Sequence, residues 1–255
     1  MLDFNSRSQT AGQVNAAIDA ALVAREAATP PRTYLGGSRL GHPCERALQF
    51  EFVKAPKDEG AGFNGRLLRI FGIGHALEDV AVAWLRGAGF DLYTRRGGGD
   101  AGEQFGFAVA GGRIRGHVDG ILADGPDIPG MAFPALWECK TMNAKAWRET
   151  ASKGVAAAKP VYAAQIAVYQ AYMDAAVPGL AANPALFTAI NKDNAELHHE
   201  LVPFDAALAQ RMSDRAVRIL RATDAGDLLP RIAAQADHFE CRFCPWAKRC
   251  WALPA

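Results

Sequence analysis

R-I-R-G-H-V-D-G-I-L at residues 113–122 and A-L-W-E-C-K-T at residues 135–141 decide how this chain is read. The first predicts a strand over Arg113–Ile121 and carries Asp119. The second predicts a neighbouring strand over Ala135–Thr141 and carries Glu138 and Lys140. Side chains alternate along a strand, so Glu138 and Lys140 share a face. Cys139 points the opposite way, toward a core. Two carboxylates converging on one face repel each other, and a buried charge without a partner is costly. A divalent cation resolves the conflict. Mg²⁺ and Mn²⁺ take oxygen ligands and are held by one or two carboxylates with substrate phosphate and water. The lysine then orients or deprotonates a water for attack on phosphorus.

Outward from this pair, periodicity predicts a helix from Gly65 to Gly87, with Leu68, Phe71, Leu77, Val80, Ala81 and Trp84 as its apolar face. Short strands follow at Phe90–Thr94 and Gln104–Val109, with Gly-rich turns at 97–100 and 110–112 and a loop at 123–134. A helix runs over Val161–Ala176, with Pro160 suited to its first turn. A hairpin of strands at 185–191 and 196–203 precedes a helix at 205–225. Nearer the start, a helix over 12–28 ends at A-T-P-P-R, a short helix follows Cys44, and residues 54–62 form a loop. The last 30 residues look irregular. This order predicts an α/β fold with a central mixed β-sheet flanked by helices. Residues 1–30 form an N-terminal helical appendage and 31–255 the main domain.

Composition narrows the class. The 255 residues are 50% apolar, but Ala alone supplies 50 of them; 22% are charged and the net charge is +1. That excludes a disordered chain and gives no support to wholesale coating of nucleic acid, while leaving room for a local basic groove. No window of 18 apolar residues occurs, and MLDFNSRSQT lacks the start of a signal peptide. The expectation is a soluble, cytoplasmic protein with no membrane partner. There is no G-x-x-x-x-G-K-[ST], so ATP-driven unwinding would come from a partner.

The acidic–lysine pattern resembles the PD-(D/E)xK nuclease superfamily, specifically its RecB-like exonuclease branch, over residues 34–251. G-I-G-H-A-L-E, with His75 and Glu78, looks like the branch's first motif. Asp119 matches the acidic position, preceded here by His-Val rather than Pro. Glu138 and Lys140 match (D/E)xK, and Y-A-A-Q-I-A-V-Y matches Q-x-x-x-Y through Gln165 and Tyr169, with Tyr162 on the same helical face. The resemblance implies a restriction-endonuclease-like core. It implies that His75, Asp119, Glu138 and the Cys139 carbonyl hold Mg²⁺ or Mn²⁺. It also implies that Gln165 and Tyr169 contact substrate or position the lysine, with Glu78 and Tyr162 behind them.

Five cysteines in a chain without a secretion signal argue against a disulfide framework. Cys241, Cys244 and Cys250 follow C-x₂-C-x₅-C, and Cys44 is the candidate fourth ligand. An all-thiolate set suits an iron–sulfur cluster or zinc. One cysteine before the nuclease core and three after it resembles the CRISPR-associated adaptation nucleases, the nuclease domain of AddB and certain helicase-nucleases. That likeness implies a structural [4Fe–4S] cluster clasping the two ends of the domain.

Basic side chains gather at residues 32–76, with seven Lys/Arg against four Asp/Glu, including Arg39 and Arg46. Arg211, Arg215, Arg218 and Arg221 share one face of the late helix. These are candidate phosphate contacts. Trp246 and Phe243 are expected to pack over the cysteine cluster, with base stacking as the alternative. The whole points to a metal-dependent DNA exonuclease of phage or bacterial recombination, replication or repair. It would act on single-stranded DNA or duplex ends beside a recombinase, a single-strand annealing protein or a helicase. A structure-specific endonuclease, a CRISPR-adaptation-like trimming nuclease and a non-catalytic DNA-binding protein on the same fold are the alternatives.

Overall fold

The computed structural model describes residues 9–97 and 102–254. The start of the appendage, residues 1–8, and most of the turn expected at 97–100 lie outside the described residues. Helix α1 (Gln9–Ala28) packs across α3 (Gly65–Gly87), where Arg69 pairs with Asp19. Between them come β1 (Leu35–Gly36), a 3₁₀ turn (Gly37–Arg39) and α2 (Glu45–Phe52). The Asn64 side chain caps α3 by accepting from Leu67 N at 2.9 Å.

Strands β2 (Asp91–Tyr93), β3 (Gly106–Val109), β4 (Ile114–His117), β5 (Gly120–Asp124) and β6 (Ala135–Met142) follow. Helices α4 (Ala144–Lys153), α5 (Val155–Ala158) and α6 (Pro160–Met173) then carry the chain to β7 (Ala185–Asn191), which lies parallel to β6. Strand β8 (Leu197–Val202) returns antiparallel as an edge, and α7 (Ala206–Ala225) follows. Two short helices, α8 (Phe239–Arg242) and α9 (Ala247–Ala252), shape the segment expected to be irregular.

The α/β class is as expected, but the sheet is divided. β2-β5-β6-β7-β8 form one mixed sheet, and β1-β4-β3 form a second. The predicted strand over Arg113–Ile121 is therefore two strands in two sheets. The break falls at Val118–Asp119. Gly116 and Gly120 flank it, and both are crowded: a Cβ on Gly116 would stand 2.8 Å from the Tyr169 ring and one on Gly120 would stand 2.6 Å from Leu92. Absent side chains here let each sheet close on its neighbours.

The large sheet buries both faces. On one, Leu136, Met142, Phe187 and Ala189 pack with Ile166, Val168 and Met173 of α6 and with Ala216 and Ile219 of α7. On the other, Trp137, Cys139, Leu186 and Ile190 pack under Ala81 and Leu85 of α3. β7 is buried along its whole length, which marks it as central. α3 departs from its expected stripe. Ala81 and Leu85 are its buried apolar residues, whereas Phe71, Val80 and Trp84 are each at least 40% exposed. The helix meets the sheet with its C-terminal half, so its first turns lie beyond the core.

Candidate active site

Asp119 stands where the chain leaves the small sheet and enters the large one. Its Oδ2 accepts the Cys139 N–H at 2.8 Å, so the acid is fixed to the backbone of β6 rather than to its own strand. Glu138 lies on the α6 face of β6 and is fully buried. Its Oε1 accepts from Gln165 Nε2 of α6 at 2.6 Å and pairs with Lys140 Nζ. Its Oε2 is buried with no hydrogen-bond partner. Lys140 Nζ also donates to the Cys139 carbonyl at 3.1 Å and lies 3.7 Å from Asp119 Oδ2. The Tyr162 ring lies 5.5 Å from the same ammonium, an attraction between cation and aromatic face.

Tyr169, one turn beyond Gln165, is buried and meets Phe107 edge-on at 5.5 Å. Gly37 is needed beside it, because a Cβ there would sit 2.8 Å from the tyrosine ring. Burial pushes the Tyr169 hydroxyl up, and the Glu138 charge adds to this. It is a packed wall of the site.

The third carboxylate comes from α3. Glu78 shares a cavity of about 640 Å³ with His75 and Asp119; Arg86, Arg95 and Gln104 also line it. Burial, then the Asp119 charge, pushes Glu78 up to about 7. Burial also raises Glu138, with Asp119 and Glu78 contributing. Burial alone would lower Lys140, but Glu138 and Asp119 outweigh it and hold the ammonium charged. Glu78, expected behind the site, thus lines the same cavity as Asp119. His75 is exposed on the cavity wall.

Three mutually opposed carboxylates and an orphaned, buried carboxylate oxygen fit a hard divalent cation. Among the described residues, no group of three or more His, Cys, Asp or Glu side chains is already arranged around a common ion position. Lys140 and Gln165 instead engage Glu138.

Cys44, Cys241, Cys244 and Cys250 line one small cavity, where Phe50 and Trp246 pack around them. Burial pushes the Cys244 thiol up, and Cys44, Cys250 and Cys241 each add to it. The four cysteines thus come together in one pocket, as the sequence expects, but among the described residues their side chains are not arranged around a common ion position. The segment is also tied down by ordinary hydrogen bonds. Trp246 Nε1 donates to the Ala55 carbonyl at 2.8 Å, and Asp58 accepts from Lys248 N and Arg249 N at 2.7 and 3.1 Å.

The expected phosphate contacts divide. Arg46 is fully buried and binds the Leu229 and Pro254 carbonyls (3.1 Å to the latter), so it straps the C-terminal segment and offers nothing to a surface ligand. Arg215 is held by Glu45 at 3.2 Å and by the Leu40 and Pro43 carbonyls. Arg218 is exposed but shares Glu45 at 2.7 Å, and Arg39 pairs with Glu51 at 3.0 Å. Arg211 is exposed. Trp246 packs beside the cysteines as expected, whereas Phe243 is 76% exposed.

No protein-family model matches the chain, and no curated protein is significantly similar to it. Solved structures are similar. SSO0001 matches with a TM-score of 0.50 at 15% identity, over 95% of this chain and 98% of that one. An alkaline exonuclease, LHK-Exo from Laribacter hongkongensis, matches with a TM-score of 0.51 at 16% identity, over 77% of this chain and 90% of that one. At these identities the likeness is one of architecture: the two sheets and their helices give this chain the fold of an alkaline exonuclease.

Proposed function

We propose that the chain is a metal-dependent DNA exonuclease. The observation that carries this is Lys140 set between Asp119 and a fully buried Glu138 whose second oxygen has no partner. A plain fold has little use for that arrangement, since a buried carboxylate oxygen left without a hydrogen-bond partner is destabilising. Asp119 and Glu138 would hold Mg²⁺ or Mn²⁺, with His75 and Glu78 on the cavity wall that Asp119 shares and the Cys139 carbonyl as a further ligand. Such an ion supplies charge neutralisation at phosphorus and a more acidic water.

The remaining work belongs to the chain's own groups. The Cys139 N–H fixes one oxygen of Asp119. Gln165 fixes Glu138 Oε1, so the orphan Oε2 has a set direction. Lys140, charged and anchored by the Cys139 carbonyl, orients the attacking water and screens the phosphate's negative charge. The four cysteines would hold a [4Fe–4S] cluster, with zinc as the alternative, and serve as a clasp rather than as catalyst.

End-labelled linear DNA, incubated with Mg²⁺, Mn²⁺ or EDTA beside a Lys140→Ala control, tests this. Metal-dependent loss of label, abolished in Lys140→Ala and absent on covalently closed circles, is expected. Folded, anaerobically prepared protein that leaves linear DNA intact with either metal would overturn the enzyme. Cutting of the closed circle would make it an endonuclease.

A further inference from the structure

A second concavity, of about 830 Å³, lies beside the acidic site, between α1, α2, the start of α3 and the cysteine segment. Its lining differs from that of the catalytic cavity. Phe63, Phe71 and Phe243 face into it and are 39%, 42% and 76% exposed. Phe63 and Phe71 meet edge-on at 5.4 Å, and Lys57 Nζ lies 4.4 Å from the Phe63 ring. Arg32 and Lys54 add positive charge; of the acids in the lining, Glu51 is already paired with Arg39, leaving Glu26 and Glu240 against Arg32, Lys54 and Lys57. Three part-exposed aromatic rings gathered beside three cations form a patch of the kind that marks a binding surface.

The concavity leads to the chemistry. Phe71 lines it, and His75, four residues on, lines the catalytic cavity. Residues four apart share a helical face, so one face of α3 runs from the aromatic groove to the carboxylates. From Phe71 to Glu78 the axial rise is about 10 Å.

We propose that this groove binds single-stranded DNA and feeds it to the acidic site, with bases stacked on Phe63, Phe71 and Phe243 and phosphates met by Arg32, Lys54 and Lys57. Stacking needs unpaired bases, and aromatic faces among cations are how proteins hold a strand without reading its sequence. The inference names the substrate form for the proposed nuclease and rests on that reading for its direction of feed.

The test uses full-length Lys140→Ala protein in EDTA, so that nothing is cut, with fluorescently labelled oligo-dT and a blunt duplex of the same length. Tighter binding of oligo-dT is expected. Phe243→Ala and Phe63→Ala, which remove exposed rings and leave the core intact, should each weaken it roughly tenfold. Trp84→Ala is the control, since that 45%-exposed ring lines a different cavity, outside the groove, and should change little. In the Lys140-containing protein, metal-dependent hydrolysis of bis(p-nitrophenyl) phosphate, too small to span the groove, reports the acidic site on its own and is expected. Unchanged oligo-dT affinity in Phe63→Ala and Phe243→Ala, or equal affinity for the blunt duplex, would overturn the groove. Loss of the small-ester reaction in the otherwise wild-type protein would instead count against the nuclease itself.

Discussion

Gln165 Nε2 donates to Glu138 Oε1 across 2.6 Å, and this bond joins helix α6 to strand β6 inside the core. It fixes the carboxylate before any ligand arrives. Gln165→Ala removes a donor from a fully buried acid, which costs about 1–3 kcal/mol. We expect a measurable fall in Tm and a loss of turnover of roughly 10-fold or more. Gln165→Glu, which adds a like charge at the same distance, should be the more damaging of the two. An active, stable Gln165→Glu protein would mean that the amide does not position the acid.

Lys140 should separate stability from chemistry. Lys140→Met leaves Glu138 without its counter-charge, and breaking such a buried pair costs about 3–5 kcal/mol where the acid is ionised. The double change Glu138→Gln with Lys140→Met removes both charges and should recover most of that stability without recovering cleavage. Thermal melts alongside DNA digestion check both halves.

Glu78 predicts a pH dependence with a defined sign. Its folded value is raised to about 7, while the unfolded chain titrates near the ordinary 4.5. Between those values the folded state binds more protons than the unfolded state, so stability falls as pH rises. Metal-free protein should therefore lose Tm from about pH 5 to 7, with Glu138 extending the loss beyond. Glu78→Gln should flatten its part of the slope, and saturating Mn²⁺ should flatten the whole. A metal-free Tm that rises over this range would contradict the assignment.

The cysteine clasp makes two separable claims. Anaerobically purified protein should contain iron and acid-labile sulfide, and Cys241→Ala should lose both together with Tm. Zinc in place of iron would assign the alternative centre. Unchanged metal content and stability in Cys241→Ala would remove the clasp altogether. Trp246→Ala tests the protein's own share of the fastening. It empties a site packed on Ala47 and Phe50, a class of change that costs about 3–5 kcal/mol.

Much of the site was legible because it follows local rules. Strand alternation put Glu138 and Lys140 on one face and Cys139 on the other, and the structure has them so. The four-residue spacing of Gln165 and Tyr169 placed both on the inner side of α6, where each is buried. What escaped was set by distant parts of the chain. The strand around Asp119 gives no periodic sign that it changes sheets. The spacing of His75 and Glu78 turns both toward the site, but that Glu78 shares a cavity with Asp119 depends on how α3 is laid on the sheet. Arg46 looks like a surface cation because its acceptors, the Leu229 and Pro254 carbonyls, lie some 180 and 210 residues later. Phe71 fits an apolar stripe, but only the C-terminal half of α3 meets the sheet, and in that half Trp84 lines a surface cavity with Ile128 and Leu197. Helix α4, absent from the sequence reading, begins at a local signal: the Asn143 side chain accepts from Ala146 N at 2.8 Å, as an N-cap does.

The fastening of residues 241–250 onto Cys44, Ala55 and Asp58 also sets an order of events. A chain emerging from the ribosome folds from its N-terminal end. His75, Glu78, Asp119, Glu138, Lys140 and Gln165 have all emerged long before Phe243 and the last three cysteines. The acidic centre can thus assemble while the groove beside it still lacks one wall. A product cut short before residue 241 would keep every group of that centre and lose the surface that selects what reaches it.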